Sequence, residues 1–359
     1  MALMPIDRIP DWEQRIARQD AFWQRAIIDR PVVIMACGKA TPEVPWPAER
    51  SYPTERERWF DVARVVEGAR AAAVNIDYLG DSLPTACPNL GPEIFSAFFG
   101  TELEYSRDTA WAVANLEDWS EVDKLRFTED NFYYRKLWEL TEGLLAGGNG
   151  LYYTGLTDFH PGGDAIVAFR DPLYMNMDML EAPEEITTLL AATYPVYFDV
   201  FDRFYNRLRE AGQACTAWAG VVSSQKWYVP SNDFSCMISK DMFDEFFLPG
   251  IAEECRQLQA SIYHLDGPDA LRHLDSLLAI PELNAIQWVY GAGNGRASDW
   301  LPVYQKCQAA GKGIQLWIEP GELDAIMTAL RPEGVWLGIH GIHTREDGEA
   351  LLKKTLQWT

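Results

Sequence analysis

Histidine is scarce in this chain, and paired cysteine motifs are missing altogether. Of 359 residues, five are histidine and six are cysteine. Cys37, Cys87, Cys215, Cys236, Cys255 and Cys307 are scattered, with no C-x-x-C pair among them. That spacing suits free thiols in a reducing cytosol better than a disulfide framework. Cations are also short: 31 Lys and Arg stand against 53 Asp and Glu, a net charge of −22. Such an imbalance argues against nucleic acid and anionic membrane as partners. No apolar run approaches the roughly 20 residues of a membrane span. The opening stretch, Met1 to Arg8, lacks the apolar core of a signal peptide. No G-x-G-x-x-G turn follows the first strand, which counts against an open doubly wound sheet. These absences together predict a soluble, acidic, cytoplasmic protein.

What is present is a set of buried strands. Hydrophobic residues make up 48% of the chain, enough for a sizeable core. Residues 11–30 carry a helical pattern, so 1–30 reads as an N-terminal helical extension and 31–359 as the main domain. Residues 31–38 form a continuous apolar run between Pro31 and Gly38, as expected of a strand covered on both faces. Residues 71–77 read as a second strand ending on Asp77. A long insertion, 78–148, comes after it and carries the aromatic cluster Phe95, Phe98 and Phe99. A connection of that length suggests an active-site excursion. Further strands are expected at 151–158, 215–220, 261–263, 285–289, 313–319 and 334–340, with helices between. Eight buried strands alternating with helices predict an α/β fold, a closed (β/α)8 TIM barrel.

In such a barrel the reactive groups sit at the C-terminal ends of the parallel strands. The organising stretch is Ser261 to Pro268, in which His264 and Asp266 lie two residues apart. On extended backbone they project to the same side. His340 closes the last strand and Glu319 the one before it. Two of five histidines closing strands, with carboxylates beside them, make His264, Asp266 and His340 candidate ligands for zinc or another divalent ion. The ion would polarise a carbonyl or activate a bound thiol, alcohol or water. The alternative is that both histidines are hydrogen-bonded rim residues. His343 would substitute for His340, and His273, on a helix, reads as structural. Asp77 and Asp158 are candidate acid–base groups or substrate anchors, with N-capping or loop hydrogen bonding as the competing role. Trp218, Trp227, Tyr228, Trp288 and Tyr290 are candidates for an aromatic wall around an apolar, sugar or cationic ligand, against plain packing. Asp158-Phe159-His160-Pro161-Gly162-Gly163 matches the D-x-H-x-x-G pattern of base-off cobalamin domains. No S-x-L stands about forty residues on, so the match reads as coincidence.

Residues 232–249, the Tyr263-His264-Leu265-Asp266-Gly267 segment with Leu277 to Trp288 after it, and Ala310-Gly311-Lys312 resemble the uroporphyrinogen decarboxylase superfamily. The similarity runs from about residue 30 onward and looks closest to a branch labelled trimethylamine corrinoid-type. The resemblance implies a (β/α)8 barrel. It also implies either decarboxylation or zinc-dependent methyl transfer between corrinoid proteins and small acceptors. True decarboxylases carry Arg-Gln-Ala-Gly-Arg after the first strand; here Met35-Ala36-Cys37-Gly38-Lys39 has neither arginine. The methyltransferases carry His-x-Cys after the fifth strand and a further Cys near the eighth; His264, Asp266 and His340 stand there instead. Harder ligands would leave a more electrophilic metal.

Three functions are therefore in view. The first is a metal-dependent, methyltransferase-like enzyme with zinc foremost. In it His264, Asp266 and His340 hold the ion, Glu319 is a fourth ligand or base, and Asp77, Asp158 and Asp233 orient a small substrate. The methyl donor or acceptor would be a corrinoid on a partner protein. The second is a cofactor-independent lyase acting through Asp77. The third is a non-catalytic barrel that captures a small ligand or docks a corrinoid protein. By analogy with the superfamily, a homodimer is expected.

Overall fold

The apolar runs are where the sheet forms. The computed structural model describes residues 2–358. The strands that frame the site are β1 (Val32–Gly38), β2 (Ile76–Gly80), β3 (Thr85–Ala86), β4 (Tyr153–Thr154), β5 (Cys215–Thr216), β6 (Trp227–Tyr228), β7 (Ala260–Asp266), β8 (Ala285–Val289), β9 (Gly313–Ile318) and β10 (Val335–Ile339). One seven-stranded sheet runs β2-β1-β10-β9-β8-β7-β6. Every pairing in it is parallel except β1 with β2. A separate parallel ladder joins β3 to β4. Just beyond β4 the N–H of Leu156 donates to the Thr216 carbonyl at 2.8 Å. Trp227 Nε1 of β6 reaches the Cys215 carbonyl at 2.8 Å. The architecture is mixed α/β with a largely parallel sheet.

The helices that bear on the site are α1 (Trp12–Trp23), α2 (Val62–Asn75), α3 (Phe132–Gly148), α4 (Gly162–Arg170), α5 (Pro183–Glu210) and α6 (Leu248–Gln257). None is long and apolar enough to cross a membrane. α1 sends Phe22 and Trp23 into the same core as the strands. It is pinned by a buried ion cluster: Asp81 is fully buried and takes Arg30 Nη1 at 2.5 Å and Nη2 at 2.9 Å, with Arg18 at 3.2 Å. Removing either side of such a pair would leave an uncompensated buried charge.

Three strand expectations are corrected. Residues 71–75 are the last turn of α2, because Ala71-Ala72-Ala73 favours helix over strand. The next strand, β2, runs antiparallel to β1, with Asp77 opposite Cys37 at its beginning rather than its end. Gly80 ends β2 at φ +65°, and a Cβ there would lie 2.2 Å from the Val33 carbonyl oxygen, so only glycine fits the approach. The strands expected at 151–158 and 215–220 shrink to two-residue ladders. Loop succeeds each ladder, which lets Asp158, His160 and Trp218 turn into one cavity. Conversely, β7 runs through Asp266, so His264 and Asp266 lie on regular strand.

The insertion after β2 folds around its aromatics. Phe95 and Phe98 are fully buried, and Phe99 nearly so. Rings of this size each contribute about 2–3 kcal/mol on burial, which fixes the excursion against α4 and α5. Its Pro92 and Glu93 thereby reach the rim of a cavity that opens beside β7.

Candidate active site

That cavity has a volume of about 420 Å³ and lies at the C-terminal end of β7. Asp158, His160, Asp164, Trp218, Asp233 and His264 supply its polar and aromatic wall, and Phe234, Met237, Val167 and Pro172 its apolar one. Two groups of side chains meet at it.

The first group is Asp233, His264 and Asp266. Each offers a ligand atom, and these atoms lie within 4.8 Å of one another. His264 is oriented from behind by a chain of amides. Gln315 Nε2 donates to the Ala219 carbonyl at 2.8 Å, and that carbonyl can only accept. Gln287 Nε2 therefore donates to Gln315 Oε1 at 2.6 Å, and Gln287 Oε1 is left to accept from His264 Nδ1 at 2.5 Å. With its proton committed to Nδ1, neutral His264 turns a lone pair at Nε2 toward the cavity. The nearer Asp233 oxygen is 3.8 Å away. A metal-ligating imidazole is commonly held in this way. Asp266 is raised above the ordinary carboxylate range by burial and by the Asp233 charge, with His264 pulling the other way. Crowded carboxylates of this kind are what a cation relieves.

Asp233 arrives on a short 3-10 turn, Asp233–Met237, which other residues hold in place. Asp164, in the first turn of α4, accepts the N–H of Asp233 at 2.7 Å and of Phe234 at 3.3 Å. His273 Nε2 pairs with the Ser235 carbonyl at 2.9 Å and stacks on Phe243, so it is structural.

The second group is Asp158 and His160. His160 is buried, and its Nε2 lies 2.6 Å from Asp158 Oδ1. Burial alone would lower this imidazole. The charge and hydrogen bond of Asp158, with Asp164 and Asp233 behind, overcome that and raise it to about 9. The pairing with Asp158 thus favours the protonated form of His160. Asp164 is pushed upward by burial and by Asp233. Trp218 stands between the two histidines, edge-on to His264 at 5.1 Å and to His160 at 6.2 Å.

Of the residues read from sequence, Asp158, Trp218, Asp233, His264 and Asp266 come together here. Asp77 does not: it pairs with Arg345 at 2.6 Å, in a different depression that Lys39 and Arg8 also line. Glu319 is exposed and caps the turn Pro320–Glu322. His340 is exposed and stacks flat on Trp317 at 4.6 Å, outside the ligand group, and His343 is exposed as well. Trp288 and Tyr290 pack on Trp300, at 5.1 Å and 6.3 Å, and line no part of the cavity. Asp233, not His340, stands beside His264 and Asp266 in the candidate ligand group, because the 3-10 turn carries its carboxylate over the end of β7. Sequence reasoning missed His160, Asp164 and Gln287. The first two were visible as part of D-x-H-x-x-G and the turn after it; Gln287 carried no signal beyond being polar inside an apolar strand.

No family model matches the chain, and no curated protein matches it in sequence. Among the solved structures that match is a methyltransferase from Methanosarcina mazei, 12% identical, with a TM-score of 0.57 over 95% of this chain and 98% of that one. At that identity the likeness is one of fold.

Proposed function

We propose that this chain is a divalent-metal-dependent enzyme of the methyltransferase type, a barrel of the uroporphyrinogen decarboxylase superfamily. In this reading Asp233, His264 and Asp266 hold the ion and a small substrate lies between it and the Asp158–His160 pair. The observation that carries the reading is the convergence of those three ligand atoms within 4.8 Å at the edge of a substrate-sized cavity. The link from β4 to β5 and from β5 to β6 supports a closed barrel, and the shared fold with a methyltransferase supports the reaction type.

The donor set suits the ion. One imidazole with its lone pair presented and two carboxylates form a nitrogen–oxygen set that fits zinc, and also iron or manganese. A bound ion of this kind supplies Lewis acidity, lowering the pKa of a thiol, alcohol or water it coordinates. The protein's residues do the rest. Gln287 holds the His264 tautomer. Asp158 lies in the cavity wall to take the proton that an activated nucleophile loses. His160 holds Asp158 in place through its Nε2, 2.6 Å from Oδ1. Trp218 and Phe234 supply the aromatic wall beside that space. The methyl donor or acceptor in this scheme is a corrinoid presented by a partner protein at the cavity mouth.

Metal analysis of the purified chain and turnover with methylcobalamin test the two halves separately. About one ion per chain, together with demethylation of methylcobalamin in the presence of a small thiol or alcohol, is expected. A folded chain that takes up no zinc, iron or manganese ends the metal reading. A metallated chain that leaves methylcobalamin intact with all acceptors ends the methyl-transfer reading.

A further inference from the structure

The wall of the cavity carries four carboxylates and neither lysine nor arginine. Glu93, Asp158, Asp164 and Asp233 line it, with His160 and His264 as its basic side chains. A substrate bearing a carboxylate, sulfonate or phosphate would find no fixed guanidinium or ammonium there to pair with. Two of the four carboxylates already have a task. Asp158 has His160 beside it at 2.6 Å, and Asp233 belongs to the candidate ligand group. Asp164 and Glu93 are left over.

Each of these two keeps one oxygen free. Asp164 accepts the N–H of Asp233 and of Phe234 through Oδ1, and its Oδ2 accepts nothing among the described residues. Glu93 accepts the Ala112 N–H through Oε2 at 2.8 Å, and its Oε1 accepts nothing among them. Neither free oxygen is sealed in the interior. The two residues stand on packed elements. Glu93 directly precedes the turn Ile94–Ala97, whose Ser96 hydroxyl donates to the Ala165 carbonyl at 3.2 Å, and Ala165 follows Asp164 in α4. Val167, three residues beyond Asp164, lies on the same face of α4. With Pro172, Phe234 and Met237 it gives the cavity its apolar side.

We infer that the cavity selects a small organic cation, an alkylammonium or alkylamidinium, whose N–H groups donate to Asp164 Oδ2 and Glu93 Oε1 while its apolar remainder lies on Val167, Pro172, Phe234 and Met237. The inference rests on the reading that this cavity is the substrate site, but on neither the metal nor the methyl group. Asp164 and Glu93 are then specificity residues, which choose the substrate by its charge. A hydrogen bond from a charged donor to a carboxylate is about twice as strong as a neutral one. A neutral isostere forgoes that gain, and an anion meets repulsion from the same two groups.

The electrostatics of the wall agree with that role. Burial raises the Glu93 carboxyl, with the Ala112 hydrogen bond opposing. Burial and the Asp233 charge raise Asp164, with His160 and the two backbone hydrogen bonds opposing. No lysine or arginine of the wall offsets either. A carboxylate held from water without a counter-charge is stabilised by a cation that enters beside it. The net charge of −22 also draws cations toward the chain as a whole. At about 420 Å³ the cavity has the dimensions of a small-ligand site.

Butyramidine and butyramide share one shape and differ in charge, so the pair tests the inference without an assay of turnover. The amidine is protonated at about pH 8, above the value of about 7 to which Asp164 is raised, and then has no lone pair for a metal. Calorimetric titration of the native chain at that pH is expected to show the amidinium bound about tenfold or more tightly than the amide. Asp164→Asn and Glu93→Gln each keep an acceptor oxygen and remove the charge. Each should weaken the amidinium about tenfold and leave the amide unchanged. Should Asp164→Asn fail to fold, Glu93→Gln and the native comparison still decide. Equal affinity of the native chain for the two ligands overturns the inference, as does no binding of the amidinium. An amidinium affinity that neither substitution lowers overturns it as well. None of these results alters the metal content or the methylcobalamin turnover, so the two readings fail separately.

Discussion

His264 and His340 invite comparison, because each closes or nearly closes a parallel strand and each lies against a tryptophan. His264 meets Trp218 edge-on, its Nδ1 is tied to Gln287, and its other nitrogen faces two carboxylates. His340 lies flat and exposed on Trp317 and belongs to no candidate ligand group among the described residues. A strand end alone does not make a site. The β7 side has an amide chain running across the sheet to fix the imidazole and a 3-10 turn that brings Asp233 across. The β9–β10 side spends its strand ends on capping and stacking.

That contrast can be broken most sharply by exchanging the histidines one at a time. His264→Ala should lower zinc affinity by about a hundredfold or more, since a ligand is lost outright. His340→Ala should leave affinity unchanged, and calorimetric titration reads both. Gln287→Leu comes next. It keeps the ligand but frees its tautomer, and loss of such an outer partner costs about 10–100-fold in affinity. Equal affinity for Gln287→Leu and the native chain would mean that the amide chain does not orient His264.

A smaller effect separates a buried carboxyl on α6 from the exposed front of the site. Glu254 is raised from 4.5 to about 8 by burial. Between those values the native chain holds a proton that the unfolded chain has released. Its contribution is complete below the ordinary carboxylate range and falls by up to about 1.4 kcal/mol per pH unit as pH rises toward 8. Glu254→Gln should flatten that fall in urea melts taken across the window, and an unaltered slope would show that Glu254 is ionised throughout. Smallest is Glu319→Ala, which removes a cap from an exposed turn. It should cost about 1 kcal/mol or less in thermal stability. Zinc affinity should stay the same, whereas a drop would bring Glu319 back as a ligand.

The same division separates the parts of the molecule that are legible in sequence from those that are not. β1, β7, β8 and β10 are legible as apolar runs bounded by breakers, because a strand covered on both faces needs nothing else. The Ala71–Ala73 segment is not, since an alanine run supports helix at least as well as strand, and only the antiparallel pairing of β2 with β1 decides it. His264 and Asp266 are legible because two residues on one strand share a side. Asp233 reads from sequence as a substrate group rather than a ligand, because its closeness to His264 depends on a turn held by Asp164 and His273 from elsewhere in the chain. His160 is in plain view within D-x-H-x-x-G. That pattern points first to a cobalamin module, which the chain otherwise lacks, and so hides the local Asp–His pair that the same spacing also serves.

Crystals of the native chain grown with zinc, and diffraction recorded on both sides of the zinc absorption edge, bear most directly on the central claim. The account predicts an anomalous peak bonded to His264 Nε2 and to carboxylate oxygens of Asp233 and Asp266. A map with no peak there, or with its peak beside His340, would contradict it.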